Sequence, residues 1–242
     1  MGPVRILGLL GGMSWESSIE YERIINERVR RHLGGTHSAD MIIRSFNFSE
    51  IETFQENGDW QSASRLLSTA AVDLQDAGAE AIVLCTNTMH RLADELEAAL
   101  SVPFLHIAEP TARAIQNAGI DRVLLLGTRY TMEQEFISSR LAARGVSTMI
   151  PTEPDREMVH RVIYDELVRG VINDGSRRLF IDTIRESVRM GASGVVAGCT
   201  EIELLISPDD LDVPLFPTAR LHAEFAADWA MSDPITPAQE SR

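Results

Sequence analysis

Two short segments hold the side chains best suited to moving a proton. Gly198-Cys199-Thr200-Glu201 sets a cysteine directly after a glycine that ends an apolar run. Glycine lets the chain turn tightly there. A cysteine at or just before a helix N-terminus meets free N–H groups and the positive end of the helix dipole, both of which favour a thiolate. Core cysteines sit among apolar neighbours, whereas Cys199 is followed by Thr200 and Glu201. The second segment is Cys85-Thr86-Asn87-Thr88-Met89-His90. Its two threonines and its asparagine can cap a helix. Together with the helix N–H groups they can also cradle a carboxylate. Cys85 follows Ile82-Val83-Leu84 and reads as a buried strand residue. His90, one helical turn after Thr86, is expected to aim at the same place.

A third segment, Gly11-Gly12-Met13-Ser14-Trp15-Glu16-Ser17, has paired glycines that let backbone approach a ligand, and Ser14 can cap the helix that follows. It is not a G-x-G-x-x-G fingerprint and gives no support for a dinucleotide. Gln55, Arg44 and Arg129 follow strands or short elements that can reach the same edge. Either arginine could hold a carboxylate bidentately or be a solvated surface charge.

Composition removes several classes. The chain has 242 residues, 44% hydrophobic and 24% charged, which is ordinary for a globular protein of one or two domains. Its formal charge of −14 argues against nucleic acid as a partner. No run reaches the ~18 apolar residues of a membrane span, so no membrane partner is expected. All 22 basic residues are arginine. Without lysine there is no pyridoxal-phosphate Schiff base and no Walker A loop. No C-x-x-C or H-E-x-x-H pattern marks a metal site, so none is expected. The two cysteines lie far apart and read as reduced thiols of a cytoplasmic chain. Met1–Gly12 reads as a first strand and not as a signal peptide.

These turns must be positioned by short apolar strands alternating with amphipathic helices. Strands are expected near Val4–Leu10, Met41–Ile43, Ala81–Cys85 and Pro103–Leu105, then again near Arg122–Leu126, Val146–Ile150, Gly194–Ala197 and Val213–Phe216. Helices are expected at Trp15–Leu33, Ser49–Phe54, Trp60–Gln75, Met89–Leu100 and Thr111–Asn117. In the second half they are expected at Met132–Ala143, Asp155–Arg169, Ser176–Met190 and Thr218–Ala230, with glycines as stops. The alternation predicts an α/β protein with two pseudo-symmetric Rossmann-like domains and mainly parallel sheets. Its polar turns would meet in an interdomain cleft at the carboxyl edges of the sheets. The expected domains are 1–115 completed by 215–231, and 116–214, with a frayed tail at 232–242.

Taken together, GLLGGMSWES (8–17), VLCTNTMH (83–90), LLGTRYTM (125–132) and GCTEIELL (198–205) resemble the aspartate/glutamate racemase family over nearly the whole chain. GCTE with GGMSWES is similar to the aspartate racemase side. The resemblance implies two α/β domains, a homodimer, no cofactor, and a pair of residues flanking the substrate Cα. One residue of the pair removes the proton and the other reprotonates the opposite face. Both are usually cysteines. Cys199 matches one, and Thr86 stands at the other because Asn87-Thr88 fix the register. The departure resembles the branch described as L-aspartate/glutamate-specific or broad-specificity amino-acid racemases. Met13, Gln55, Asn87, Thr88, Thr200 and Glu201 are the implied substrate-binding residues. Some aspartate racemases of the family use a lysine near the segment 167–170. Arg169 lies close by here, and the anchor for a side-chain carboxylate is left open. Alternatives on the same scaffold are a diacid cis–trans isomerase, a malonate decarboxylase, or a non-catalytic binder of acidic amino acids.

Overall fold

The computed structural model describes residues 4–232. The first half runs β1 (Leu7–Gly11), α1 (Trp15–Leu33), β2 (Met41–Ser45), α2 (Phe48–Glu56), α3 (Trp60–Asp76) and β3 (Ala81–Leu84). A 3-10 turn at Thr88–Leu92 follows, then α4 (Ala93–Ala99), β4 (Phe104–Leu105) and α5 (Ala108–Asn117). The second half runs β5 (Arg122–Gly127), α6 (Arg129–Glu133), α7 (Glu135–Ala142), β6 (Ser147–Met149) and α8 (Glu153–Asp165). After a 3-10 turn at Leu167–Arg169 come α9 (Asp174–Arg189), β7 (Val195–Gly198), α10 (Ile202–Leu205), β8 (Leu215–Pro217) and α11 (Thr218–Met231).

The strands form two parallel sheets with the same winding, β2-β1-β3-β4 and β6-β5-β7-β8. Both faces of each sheet are covered, and the central strands show it. Leu7, Leu9, Ala81, Val83 and Cys85 enter one core layer, while Leu10, Ile82 and Leu84 enter the opposite layer. In the second sheet Leu124, Leu126, Val195 and Ala197 face one way, and Val123, Leu125 and Val196 the other. This is the period-two alternation of a strand, apolar on both sides as parallel sheets require.

The two halves exchange a helix. α5 buries Ala112 and Ile115 against Val123 and Leu125 of the second sheet. α11 buries Ala219, Ala223, Ala226 and Ala227 against Leu7 of the first sheet and Tyr21 and Ile25 of α1. The strand at 215–217, grouped by the sequence with the first domain, hydrogen-bonds to β7 in the second sheet, so only α11 crosses back. The helix expected over Met132–Ala143 is broken at Gln134, whose ψ of 152° is extended and separates α6 from α7. Met89–Leu100 likewise divides into the 3-10 turn and α4. All but the first residue of the tail expected to fray lies outside the described residues.

Candidate active site

Four turns at the carboxyl ends of β1, β3, β5 and β7 converge on one cavity, where α/β sheets offer ligand sites. Its wall is formed by Met13 and Ser14 after β1, Thr86, Asn87 and Thr88 after β3, Thr128 after β5, and Gly198 to Glu201 at β7. Phe48 and Gln55 of α2, Ile163 and Tyr164 of α8, and Val168 complete it. As folded the cavity holds about 30 Å³, room for about two waters by that measure. All eight residues expected from the sequence line it.

Close backbone approach shapes the turns. Gly12 has φ +84°, and a Cβ there would stand 2.3 Å from the Phe46 backbone. A Cβ on Gly198 would stand 2.8 Å from the Leu126 carbonyl. The glycine preceding Cys199 is thus required by the packing of β7 on β5.

Cys199 and Thr86 are half-buried, and the polar groups around them are buried. The Cys199 thiol donates to Glu201 Oε2 at 2.9 Å. Ser14 Oγ donates to Glu201 Oε1 at 2.7 Å. Both oxygens of Glu201 therefore act as acceptors, as an ionised carboxylate does. Burial, and then the adjacent Glu201 charge, push the Cys199 thiol well above its ordinary range. The Thr200 hydroxyl is 2.7 Å from Ser17 Oγ on α1. Thr88 and Thr128 hydroxyls meet at 3.0 Å. Hydrogen bonds thus tie the two halves together on both sides of the cavity.

Asn87 is buried, and its Oδ1 finds no hydrogen-bond partner among the described residues. A buried amide left open in a cavity wall is suited to a polar ligand. His90 does not enter the cavity. It lies behind the turn, with Nδ1 donating to the Thr86 carbonyl at 2.7 Å and Nε2 accepting from Ile107 N–H at 3.2 Å. The short 3-10 geometry of this segment turns the ring inward, so it braces Thr86 from the interior. Cys85 is fully buried, as its strand position implied, and burial drives its thiol far up.

The remaining wall is different in character. Phe48 and Gln55 lie two turns apart on α2, facing Ile163, Tyr164 and Val168. The Tyr164 phenol donates to Gln55 Oε1 at 3.1 Å, and Tyr130 donates to the Gln55 carbonyl at 3.2 Å. Gln55 Nε2 points at Met89 Sδ. Arg44, Arg129 and Arg169 are all exposed and none lines the cavity. Thr128 and the Phe48, Ile163, Tyr164 and Val168 wall were not singled out from the sequence. Thr128 had a usable signal, a threonine immediately after the strand-ending Gly127. The apolar side chains had none, since a cavity wall and a core face share one periodicity.

The family model for Asp/Glu/hydantoin racemases matches residues 10–226. The broad-specificity amino-acid racemase RacX of Bacillus subtilis is 21% identical over 218 residues, covering 87% of this chain and 91% of RacX. A Yersinia pestis protein, provisionally described as an Asp/Glu racemase, has a crystal structure 52% identical with a TM-score of 0.89, covering 94% of this chain and all of the other. An aspartate racemase homologue of Pyrococcus horikoshii is 30% identical with a TM-score of 0.82 at the same coverage. The shared winding of the two sheets, the cavity between them and these likenesses lead to one conclusion: the chain belongs to the Asp/Glu/hydantoin racemase family.

Proposed function

We propose that this protein is a pyridoxal-phosphate-independent amino-acid racemase, with aspartate and glutamate the substrates that its family suggests. Cys199 acts as base on the L-enantiomer. Thr86, or a water it holds, supplies a proton to the opposite face of Cα. The observation that carries this reading is the Cys199–Glu201 hydrogen bond in a cavity also lined by Thr86. A thiolate beside a carboxylate would place two charges together. Passing the thiol proton to Glu201 leaves one negative charge on the pair, and that charge moves to the substrate when the thiolate takes the Cα proton.

Cα–H removal leaves negative charge on the substrate carboxylate, which fixed donors can stabilise. The Thr88, Thr128 and Thr200 hydroxyls supply them, while the open Asn87 Oδ1 is an acceptor suited to the α-ammonium group. Thr86 is a poor base. An alcohol near ~15.7 against a thiol near ~8.5 differs by about 10 kcal/mol for ionisation. The equilibrium constant between enantiomers is unity, so kcat/KM is equal in the two directions and the cost at Thr86 is met in both. A lower kcat from the D-enantiomer is expected only with an equally lower KM.

The test is proton NMR of L-glutamate and L-aspartate in D₂O with reduced enzyme, followed by chiral chromatography, with Cys199→Ala alongside. Loss of the Cα–H signal and growth of D-product, both absent in the variant, support the reading. Exchange that persists in Cys199→Ala would refute Cys199 as the base. Binding without exchange for any amino acid would leave a binder. Turnover of maleate or malonates in place of amino acids would point to the other chemistries of the scaffold.

A further inference from the structure

We infer that the cleft prefers amino acids with neutral side chains over aspartate and glutamate, an inference that rests on the racemase reading above. The donors and acceptors of the cavity cluster around Cys199 and Thr86, where the α-amino and α-carboxylate groups must lie for Cα to be attacked. What remains for the side chain is Phe48, Ile163 and Val168, with Tyr164 and Gln55. Among the described residues, this wall has no arginine and no histidine, and the chain has no lysine. Among the described residues that line the cavity the one carboxyl group is Glu201, at the other end beside Cys199.

The neutral donors at that end are already engaged. The Tyr164 hydroxyl is spent on Gln55 Oε1, and the Gln55 amide nitrogen faces the Met89 sulfur. A side-chain carboxylate would give up its hydration for no cation, and would bring a second negative charge into the cavity that holds Glu201. A neutral side chain meets none of these costs and buries apolar surface on Phe48, Ile163 and Val168. Sites that leave a buried polar group unpaired discriminate by far more than tenfold, so a tenfold preference is a modest threshold.

The experiment measures kcat/KM for Cα–H exchange in D₂O with L-methionine, L-leucine, L-glutamine, L-aspartate and L-glutamate. Expected is a value for the best neutral substrate at least about tenfold above both acids. Val168→Arg, which adds a cation to this wall, should move that ratio at least about tenfold toward the acids. Phe48→Arg gives the same reading if Val168→Arg melts early by circular dichroism. Aspartate or glutamate matching the best neutral substrate, or a ratio unmoved in a folded arginine variant, would overturn the inference. If no amino acid exchanges, the racemase reading fails by itself. Calorimetric binding of the same panel to the wild-type protein then decides the preference, with tighter neutral binding supporting it and equal or tighter acidic binding overturning it.

Discussion

Ser14 Oγ hydrogen-bonds to Glu201 Oε1 at 2.7 Å across 187 positions of sequence. It joins the cap of α1 in the first half to the turn after β7 in the second. The same carboxylate accepts a hydrogen bond from the Cys199 thiol on its other oxygen. One buried side chain thus bridges the two halves and contacts the group proposed to do the chemistry.

Removing the two proposed proton-transfer groups should have unequal effects. Cys199→Ala is expected to abolish Cα–H exchange and D-product together. Thr86→Ala should keep exchange of the L-enantiomer while D-product falls about 10²-fold or more, the usual contribution of a positioned acid. Deuterium exchange and chiral chromatography on the same samples separate the two. An equal loss of both signals in Thr86→Ala would count against a one-sided role.

The pH dependence of Cys199 should follow its neighbour. Burial and the Glu201 charge raise this thiol, so the thiol form persists as pH rises past the ordinary value near ~8.5. Iodoacetamide labelling should therefore have a midpoint above that value. Glu201→Gln removes the charge and should lower the midpoint. Native mass spectrometry should find one labelled cysteine, since Cys85 is fully buried. A midpoint unchanged by Glu201→Gln would show that the carboxylate does not govern the thiol.

Acid should weaken the fold through three buried histidines. His90 lies 4.6 Å from His106 and 5.7 Å from His222, ring centre to ring centre. Burial holds His106 down to about 3, His222 down to about 4, and His90 well below the ordinary value. The unfolded chain takes up these protons near pH ~6.5 while the folded chain refuses them. Their contribution is thus complete above pH ~6.5 and is lost as pH falls toward 4, at up to about 1.4 kcal/mol per pH unit for each histidine. His222 donates to the Leu105 carbonyl and accepts from Tyr21. Urea unfolding at stepped pH should show a shallower acid slope in His222→Gln than in wild type, and equal slopes would remove this histidine from the account.

Substrate entry requires the cavity walls to part, because about 30 Å³ cannot admit an amino acid. Tyr130 and Tyr164 of the second half both donate to Gln55 of the first. Each Tyr→Phe change removes one such bond, worth about 1 kcal/mol. The double variant should open at less cost, lowering KM about fivefold or more, and should lose several degrees of melting temperature. Unchanged KM in a folded double variant would mean that the walls part elsewhere.

The alternation of apolar residues by itself determined the two parallel sheets, because a strand buried on both faces admits few other patterns. The glycine before Cys199 and the register of Asn87-Thr88 likewise marked the turns that line the cavity. Tertiary structure decided the rest. His90 turned inward because its segment adopts a 3-10 turn braced against Ile107, a choice no spacing rule encodes. α5, expected in the first domain, packs on the second sheet, because an apolar helix face records that it is buried but not which sheet buries it. The Phe48, Ile163, Tyr164 and Val168 wall became visible only once α2 and α8 stood opposite each other, since periodicity cannot distinguish a core from a cleft. The pairing of Ser14 with Glu201 has the same origin: it spans two halves whose mutual placement is fixed by packing, after the local sequence has already chosen each turn.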